Sequence, residues 1–207
     1  HEHSDHIAGL QQLLKRFDIP VYTKQGTWRE IQDKLIVPKN RLIELTKGSL
    51  TLGSLIVEPF SVSHDAADPI GINVFAGNDK ATIVTDTGVI SDDVLRRIDD
   101  TTLLVLEANY DPHMLRFGPY QPFLKQRVAS DEGHLSNEMA AQALLMMKRP
   151  DFMQVILAHR SENNNNAVLV TQTIGKMLVD GGVRIGPEMK LQHGQPNEIV
   201  SIQSVER

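Results

Sequence analysis

The sequence predicts an α/β layered fold, and three observations predict it. Apolar runs with strand character alternate with segments whose apolar residues recur at helical spacing. Histidines and an aspartate recur just past the ends of the strand-like runs. No glycine-rich loop follows a strand and opens a helix, so a dinucleotide-binding unit has no support.

Taken in order, Ile7, Leu10, Leu14 and Phe17 lie on one helical face directly after the first six residues. Ile19–Thr23 reads as a short strand with Pro20 near its start, and Trp28–Leu35 as a helix ended before Pro38. Strands are expected at Leu42–Leu45, Leu55–Ser61, Ile72–Ala76 and Ala81–Thr85, separated by Gly, Pro, Asn and Asp. A helix near Asp92–Ile98 leads to the buried-strand run Thr102–Leu106. Leu135–Lys148 is a helix for which Ser136 is the candidate N-cap. Phe152–Ala158 is a strand, Asn164–Leu178 a helix, and two short strands are expected to finish the chain.

The 207 residues suit one domain with a sizeable core, and residues 1–207 are expected to form it. Hydrophobic content of 41% and charged content of 23% are ordinary for a globular chain. No apolar run approaches the roughly 18 residues that cross a bilayer, so a soluble, non-membrane protein is expected. The absence of cysteine excludes disulfides and thiolate chemistry and accords with a cytoplasmic location. A net charge of −5 argues against a surface coated in nucleic acid, although a local basic patch remains open.

His1, His3, Asp5 and His6 place four metal-capable groups within the opening six residues, His1-Glu2-His3-Ser4-Asp5-His6. In an extended segment, His1, His3 and Asp5 fall on one side, and a turn at the next helix brings His6 toward a neighbouring ion. Imidazole with carboxylate suits zinc, manganese or iron. His64, Asp86 and His159 each follow a strand, at a common rim where distant segments meet. A metal motif at the first residue is an unusual beginning, so the sequence is expected to be N-terminally incomplete. A mass of 23.1 kDa for the intact protein would overturn that expectation.

The pattern H-x-H-x-D-H, then a strand-end His, then Thr85-Asp86-Thr87-Gly88, then a strand-end His, resembles the metallo-β-lactamase fold. Within it, Leu106 to Asp111, Gly118-Pro119-Tyr120, Leu124 to Arg127 and Ser130 to Asn137 resemble the YycJ/WalJ group, related to the ribonuclease Z branch. The resemblance runs from residue 1 to about residue 166. Arg160 departs from it, standing where the group more often has an apolar residue. The resemblance implies a four-layer αββα sandwich whose first strands precede the opening motif. It implies two divalent metal ions, one on His1, His3 and His64, the other on Asp5, His6 and His159, with Asp86 bridging them. Asp5 counts there as a catalytic residue as well as a ligand. It also implies a nuclease, with 5′ exonuclease activity and DNA favoured over RNA as substrate. Two ions about 3.5–4 Å apart can share a hydroxide that attacks phosphorus while they stabilise the departing oxygen.

By the same resemblance His134 faces the scissile phosphate, as acid or charge stabiliser, and Glu107 orients it. Helix capping by His134 is the competing expectation. Arg116, Lys125 and Arg127 form a cationic cluster near Tyr110 and Tyr120, suited to phosphate contact with base stacking. A solvated basic face explains the same cluster equally well. Ser136 and Asn137 at a helix start are expected to bind a further phosphate. His113 and His193 are expected at the surface, and Leu144 to Met147 in a helix core.

Three other readings compete. Thioester or lactam hydrolases of this fold usually carry Gly-His-Thr around the third histidine, whereas this chain has Ser63-His64-Asp65. A flavo-diiron protein would carry Glu where His3 stands. A non-catalytic regulatory relative would have lost a ligand, and none is lost here.

Overall fold

The structure is a computed structural model that describes residues 1–46, 48–196 and 198–202. The opening motif runs into two short helices, α1 (Ser4–Ile7) and α2 (Leu10–Arg16), where the periodicity had suggested one. Strand β1 (Val21–Thr23) pairs in parallel with β2 (Leu42–Glu44), and α3 (Gln25–Ile31) lies between them in sequence. The expected helix therefore starts three residues early and ends at Ile31, whose carbonyl closes a turn onto Lys34 and Leu35. This segment is tied to the rest through the Thr27 hydroxyl, which donates to the Asp68 carbonyl.

The main sheet has seven strands in sequential order. They are β3 (Leu50–Leu52), β4 (Leu55–Ser61), β5 (Ile70–Ala76), β6 (Asp79–Val84), β7 (Leu103–Glu107), β8 (Met153–Ala158) and β9 (Met189–His193). β3 to β6 pair antiparallel and β6 to β9 parallel. Each parallel step is made through helices: α4 (Asp92–Ile98), then α5 (Pro112–Phe117), α6 (Pro122–Val128) and α7 (Asn137–Met146), then α8 (Ala167–Asp180). Sequence reading missed β3, α5 and α6. It also expected two closing strands, where the described residues hold β9 alone. A usable signal for both missed helices was present: each begins with Pro at its first turn, α5 after the capping Asp111 and α6 after Gln121.

Strand alternation decides where the core lies. Val84, Leu104, Leu106, Val155 and Leu157 point to one face and are buried against Val94 and Ile98 of α4, Ala140 and Leu144 of α7, and Ile174 and Leu178 of α8. The opposite alternation presents Ile83, Leu103, Val105 and Ile156, which are only partly buried or exposed. Of the expected αββα sandwich, the described residues thus show one large sheet with helices on one face and a separate two-stranded pair. Among them, no helix is long and apolar enough to cross a membrane.

Direction matters more than layering for the site. β6, β7 and β8 run parallel, and β4, two antiparallel steps from β6, runs the same way. The carboxyl ends of all four therefore meet one edge of the sheet, where α/β proteins commonly bind ligands. Leu104 sits in the middle of this arrangement with no exposed surface. Leu104→Ala should cost about 2–5 kcal/mol of unfolding free energy, read as a lowered denaturant midpoint at unchanged slope.

Candidate metal centre

Four strand ends and the opening segment converge. His64 follows β4, Asp86 follows β6, Glu107 closes β7 and His159 follows β8. Asp86 and His159 both turn out of the sheet with positive φ, 54° and 51°, a left-handed conformation uncommon for residues with a side chain. Local strain of this kind persists where surrounding contacts hold it, and it clusters at functional positions. Here it turns both side chains back over the sheet edge.

The ligand-capable atoms fall into three overlapping groups, each with its atoms within 4.8 Å of one another. They are His1, His3 and His64; Asp5, His6, Asp86 and His159; and Asp86, Glu107, His134 and His159. The first two match the division expected from the sequence. Asp86 stands between them: its carboxylate lies 3.1 Å from His6 Nε2, 3.4 Å from His159 Nε2 and 3.7 Å from His64 Nε2. His1 Nε2 is buried without a hydrogen-bond partner, and Asp86 Oδ2 faces the His6 ring alone. Buried polar atoms are normally satisfied, so an unpartnered His1 Nε2 among converging imidazoles and a carboxylate fits a cation site. An all-nitrogen and carboxylate set accommodates zinc, manganese or iron.

Hydrogen bonds on the far side of the His64, His134 and His159 rings set their tautomers. His64 Nδ1 lies 3.0 Å from the Gly133 carbonyl, which can only accept, so Nδ1 carries the proton and Nε2 faces the cluster as a lone pair. Glu107 serves His159 and His134 alike: its Oε1 accepts from His159 Nδ1 at 2.7 Å and from His134 Nδ1 at 2.8 Å. Its Oε2 accepts the backbone N–H of Thr87 and of Leu135. Burial alone would raise the Glu107 carboxyl, but the bonds from His134 and His159 outweigh it and hold it below the usual range. Asp86 is depressed in the same way, burial being overcome by His6 and His159. His64 goes down, mainly through burial, which keeps it neutral.

Glycines let the backbone close in. A Cβ on Gly133 would lie 2.3 Å from the Arg127 and Val128 carbonyls, and one on Gly88 2.3 Å from the Ser130 carbonyl. These approaches seat the 130–134 loop, and with it His134, against the strand ends. The ring of His134 lies 5.1 Å from His64 and 5.3 Å from His159.

A cleft of about 760 Å³ opens from the cluster, lined among others by Asp5, His134, His159, Tyr120, Arg127 and Arg160. Of the expected substrate contacts, Tyr120 and Arg127 reach it. Arg127 is engaged there by Asp65 through Nε and, at 3.0 Å, Nη2. Arg116 is exposed on α5, and Lys125 on α6 donates to the Arg116 carbonyl at 2.8 Å; neither joins the lining. Ser136 and Asn137 correct the expectation of a phosphate contact. Ser136 is buried and its hydroxyl caps α7 by accepting from Met139, while Asn137 exchanges amide hydrogen bonds with Asn165 inside the protein. His113 is exposed as expected, whereas His193 is half-buried and 2.8 Å from the Thr171 hydroxyl. Sequence reasoning missed Asp65, which joins Arg127 to the metal-ligand loop, and Asn109, which donates to the His159 carbonyl at 2.8 Å. It also missed Glu2, which accepts the Ala67 N–H at 2.7 Å. Asp65 and Glu2 each neighbour a ligand in sequence, but adjacency alone carries no sign of a partner.

Residues 1–159 match the beta-lactamase superfamily domain. The chain is 35% identical over 207 residues to the Bacillus anthracis protein named exodeoxyribonuclease YycJ, covering 99% of this chain and 78% of that one. It is 32% identical over 202 residues to exodeoxyribonuclease WalJ of Streptococcus pneumoniae serotype 2 (strain D39 / NCTC 7466), covering 95% of this chain and 75% of the relative. The crystal structure of the metallo-β-lactamase fold protein YhfI from Bacillus subtilis superposes with a TM-score of 0.66 at 16% identity, over 92% and 72% of the two chains.

The metal-free cluster has a measurable signature. Burial would lower His159, but Glu107 overrides it and the ring is pushed up to about 9. A raised value means a protonated ring at neutral pH, and ligation requires the proton to leave. Zinc affinity should therefore rise with pH up to about 9, and the binding enthalpy should change with the ionisation heat of the buffer. Calorimetry in two buffers reads this directly; equal enthalpies would contradict it.

Proposed function

The chain belongs to the beta-lactamase superfamily of metal-dependent hydrolases, and on that premise we propose that it is an exodeoxyribonuclease working with two divalent cations. The observation that carries this reading is the pair Glu107–His134 standing beside His and Asp clusters able to hold metal, at the head of an open cleft. A carboxylate-supported imidazole beside the candidate ligands can protonate a departing oxygen or offset the charge on it. Charge building on a phosphodiester is one case that such a group answers. The names of the two relatives point to DNA as the substrate.

His1, His3 and His64 would hold one cation, and Asp5, His6 and His159 the other, with Asp86 reaching both. Bound there, zinc, manganese or iron lowers the pKa of water and stabilises charge on phosphoryl oxygens. The protein's own groups do the rest. His64 and His159 are kept in the ligating tautomer by the Gly133 carbonyl and Glu107. His134 presents its free Nε2 with Nδ1 anchored on Glu107, so that it can give a proton to the leaving oxygen or offset its charge. Glu107, sealed from solvent, keeps that ring oriented. Tyr120 and Arg127 on the cleft wall, with Arg116 and Lys125 farther out on α5 and α6, are the candidates for strand contact. We take residues 1–207 to act as one catalytic domain, in the cytoplasm where its DNA lies, and attack from the 5′ end.

Incubating metal-loaded protein with end-labelled single- and double-stranded DNA and RNA tests this reading. A mononucleotide ladder on DNA from the 5′ end is expected, and uncut DNA with zinc, manganese and iron alike would reject it. His134→Ala should bind the same metal complement yet lose about 10²–10⁴ in turnover. Asp86→Ala, by contrast, should fail to hold the full complement, as metal analysis after dialysis would register.

A further inference from the structure

Arg160 is the cleft residue that this chemistry leaves without a task. It follows His159 past the end of β8 and lines the cleft beside Asp5, His134 and His159. Its Nη1 is buried with no hydrogen-bond partner. The other guanidinium on the wall, Arg127, is neutralised by Asp65 through two contacts. Arg160 makes no ion pair among the described residues. Two carboxylates share the lining: Asp5, which sits 3.5 Å from His6 and His159 among the ligands, and Glu162, which is exposed and does not pair with it.

A guanidinium offers five donors and keeps its charge at any accessible pH. Proteins rarely leave such a group partly buried and unpartnered unless something outside the chain completes it. The neighbourhood shows the same uncompensated charge. His193, half-buried beside Thr171, is held below its usual value first by burial and then by the Arg160 cation. Around the guanidinium the cleft offers further groups able to meet an oxyanion. The Asn163 side-chain amide lies 3.5 Å from the Tyr120 hydroxyl, and both belong to the lining.

We propose that Arg160, with Asn163 and Tyr120, forms a subsite for a phosphate of the DNA strand adjacent to the phosphodiester at the metal centre. Arg160 is one residue from a metal ligand, so a strand whose scissile phosphate sits at the metals brings its next phosphate within reach of this cation. A planar guanidinium binds phosphate at two points, which fixes the strand's register as well as adding affinity. The identity of the strand rests on the nuclease reading above. The anion site itself rests on the unpaired cation.

The test compares metal-loaded wild type with Arg160→Gln, nearly isosteric and neutral, and Arg160→Lys, which restores charge. Anisotropy with a short fluorescent phosphorothioate oligonucleotide, which resists cleavage, measures binding across a salt series. Arg160→Gln should bind at least about tenfold more weakly, and its log–log salt slope should be shallower by about 0.7, the loss of one phosphate contact. Arg160→Lys should recover the slope. Metal content and the hydrolysis rate of bis(p-nitrophenyl) phosphate, too small to reach the subsite, should stay at wild-type values. Cleavage of 5′-phosphorylated and 5′-hydroxyl oligonucleotides separates two sources of the phosphate. A defect confined to the phosphorylated strand assigns the subsite to the terminal phosphate, and an equal defect on both to an internal one; either outcome supports the proposal. Equal affinity and slope in wild type and Arg160→Gln overturn it, as does a fall in metal content or in small-diester turnover. Wild type that fails to bind the oligonucleotide overturns it too. Wild type that binds through Arg160 but cuts no nucleic acid rejects the nuclease reading and leaves the subsite standing.

Discussion

A carboxylate with no exposed surface must have every lone pair answered or it will take up a proton, and Glu107 meets that demand with four donors from three separate parts of the chain. Thr87 N–H comes from the turn after β6, Leu135 N–H and His134 from the loop before α7, and His159 from the end of β8. Satisfying one buried charge therefore fixes the relative positions of Asp86, His134 and His159. The same oxygen that turns His159 toward the metal cluster holds His134 beside it. Ligand geometry and the proposed proton donor are thus set by one anchor. Loss of that anchor would leave two imidazoles unoriented and two N–H groups unpaired.

Around this anchor the sheet supplies rigidity and the loops supply close approach. The positive φ angles of Asp86 and His159 occur one or two residues beyond hydrogen-bonded parallel strands, where the ladder and Glu107 can bear the strain. Gly88 and Gly133 admit backbone at distances that no Cβ would permit, bringing the 130–134 loop down onto the sheet edge. Gly133 then offers its carbonyl to His64, which links the histidine after β4 to the loop that carries His134. The Asp65–Arg127 pair makes a second link between the same two regions from the exposed side.

Charge is sorted sharply across the site. The buried carboxylates Asp86 and Glu107 sit among the converging imidazoles, and two guanidiniums reach the cleft wall in different states. Arg127 spends its charge on Asp65. Arg160 does not, and so carries a net positive contribution into the cleft that a phosphate can answer.

The candidate metal ligands were legible in the sequence because they obey local rules. His1, His3, Asp5 and His6 share a short segment, and the others each stop an apolar run, so residue type and strand periodicity alone marked them. Parallel strand direction then brought those ends to one edge, as the alternation of strands and helices implied. What the sequence could not decide were facts of partnership and burial between distant segments. Ser136 and Asn137 have the chemistry of a phosphate site, yet packing put one into a helix cap and the other against Asn165. Arg127 and Arg160 look alike on the page. Only the tertiary structure gave Asp65 to one and, among the described residues, no carboxylate to the other, because ion pairing depends on distances that long-range folding creates.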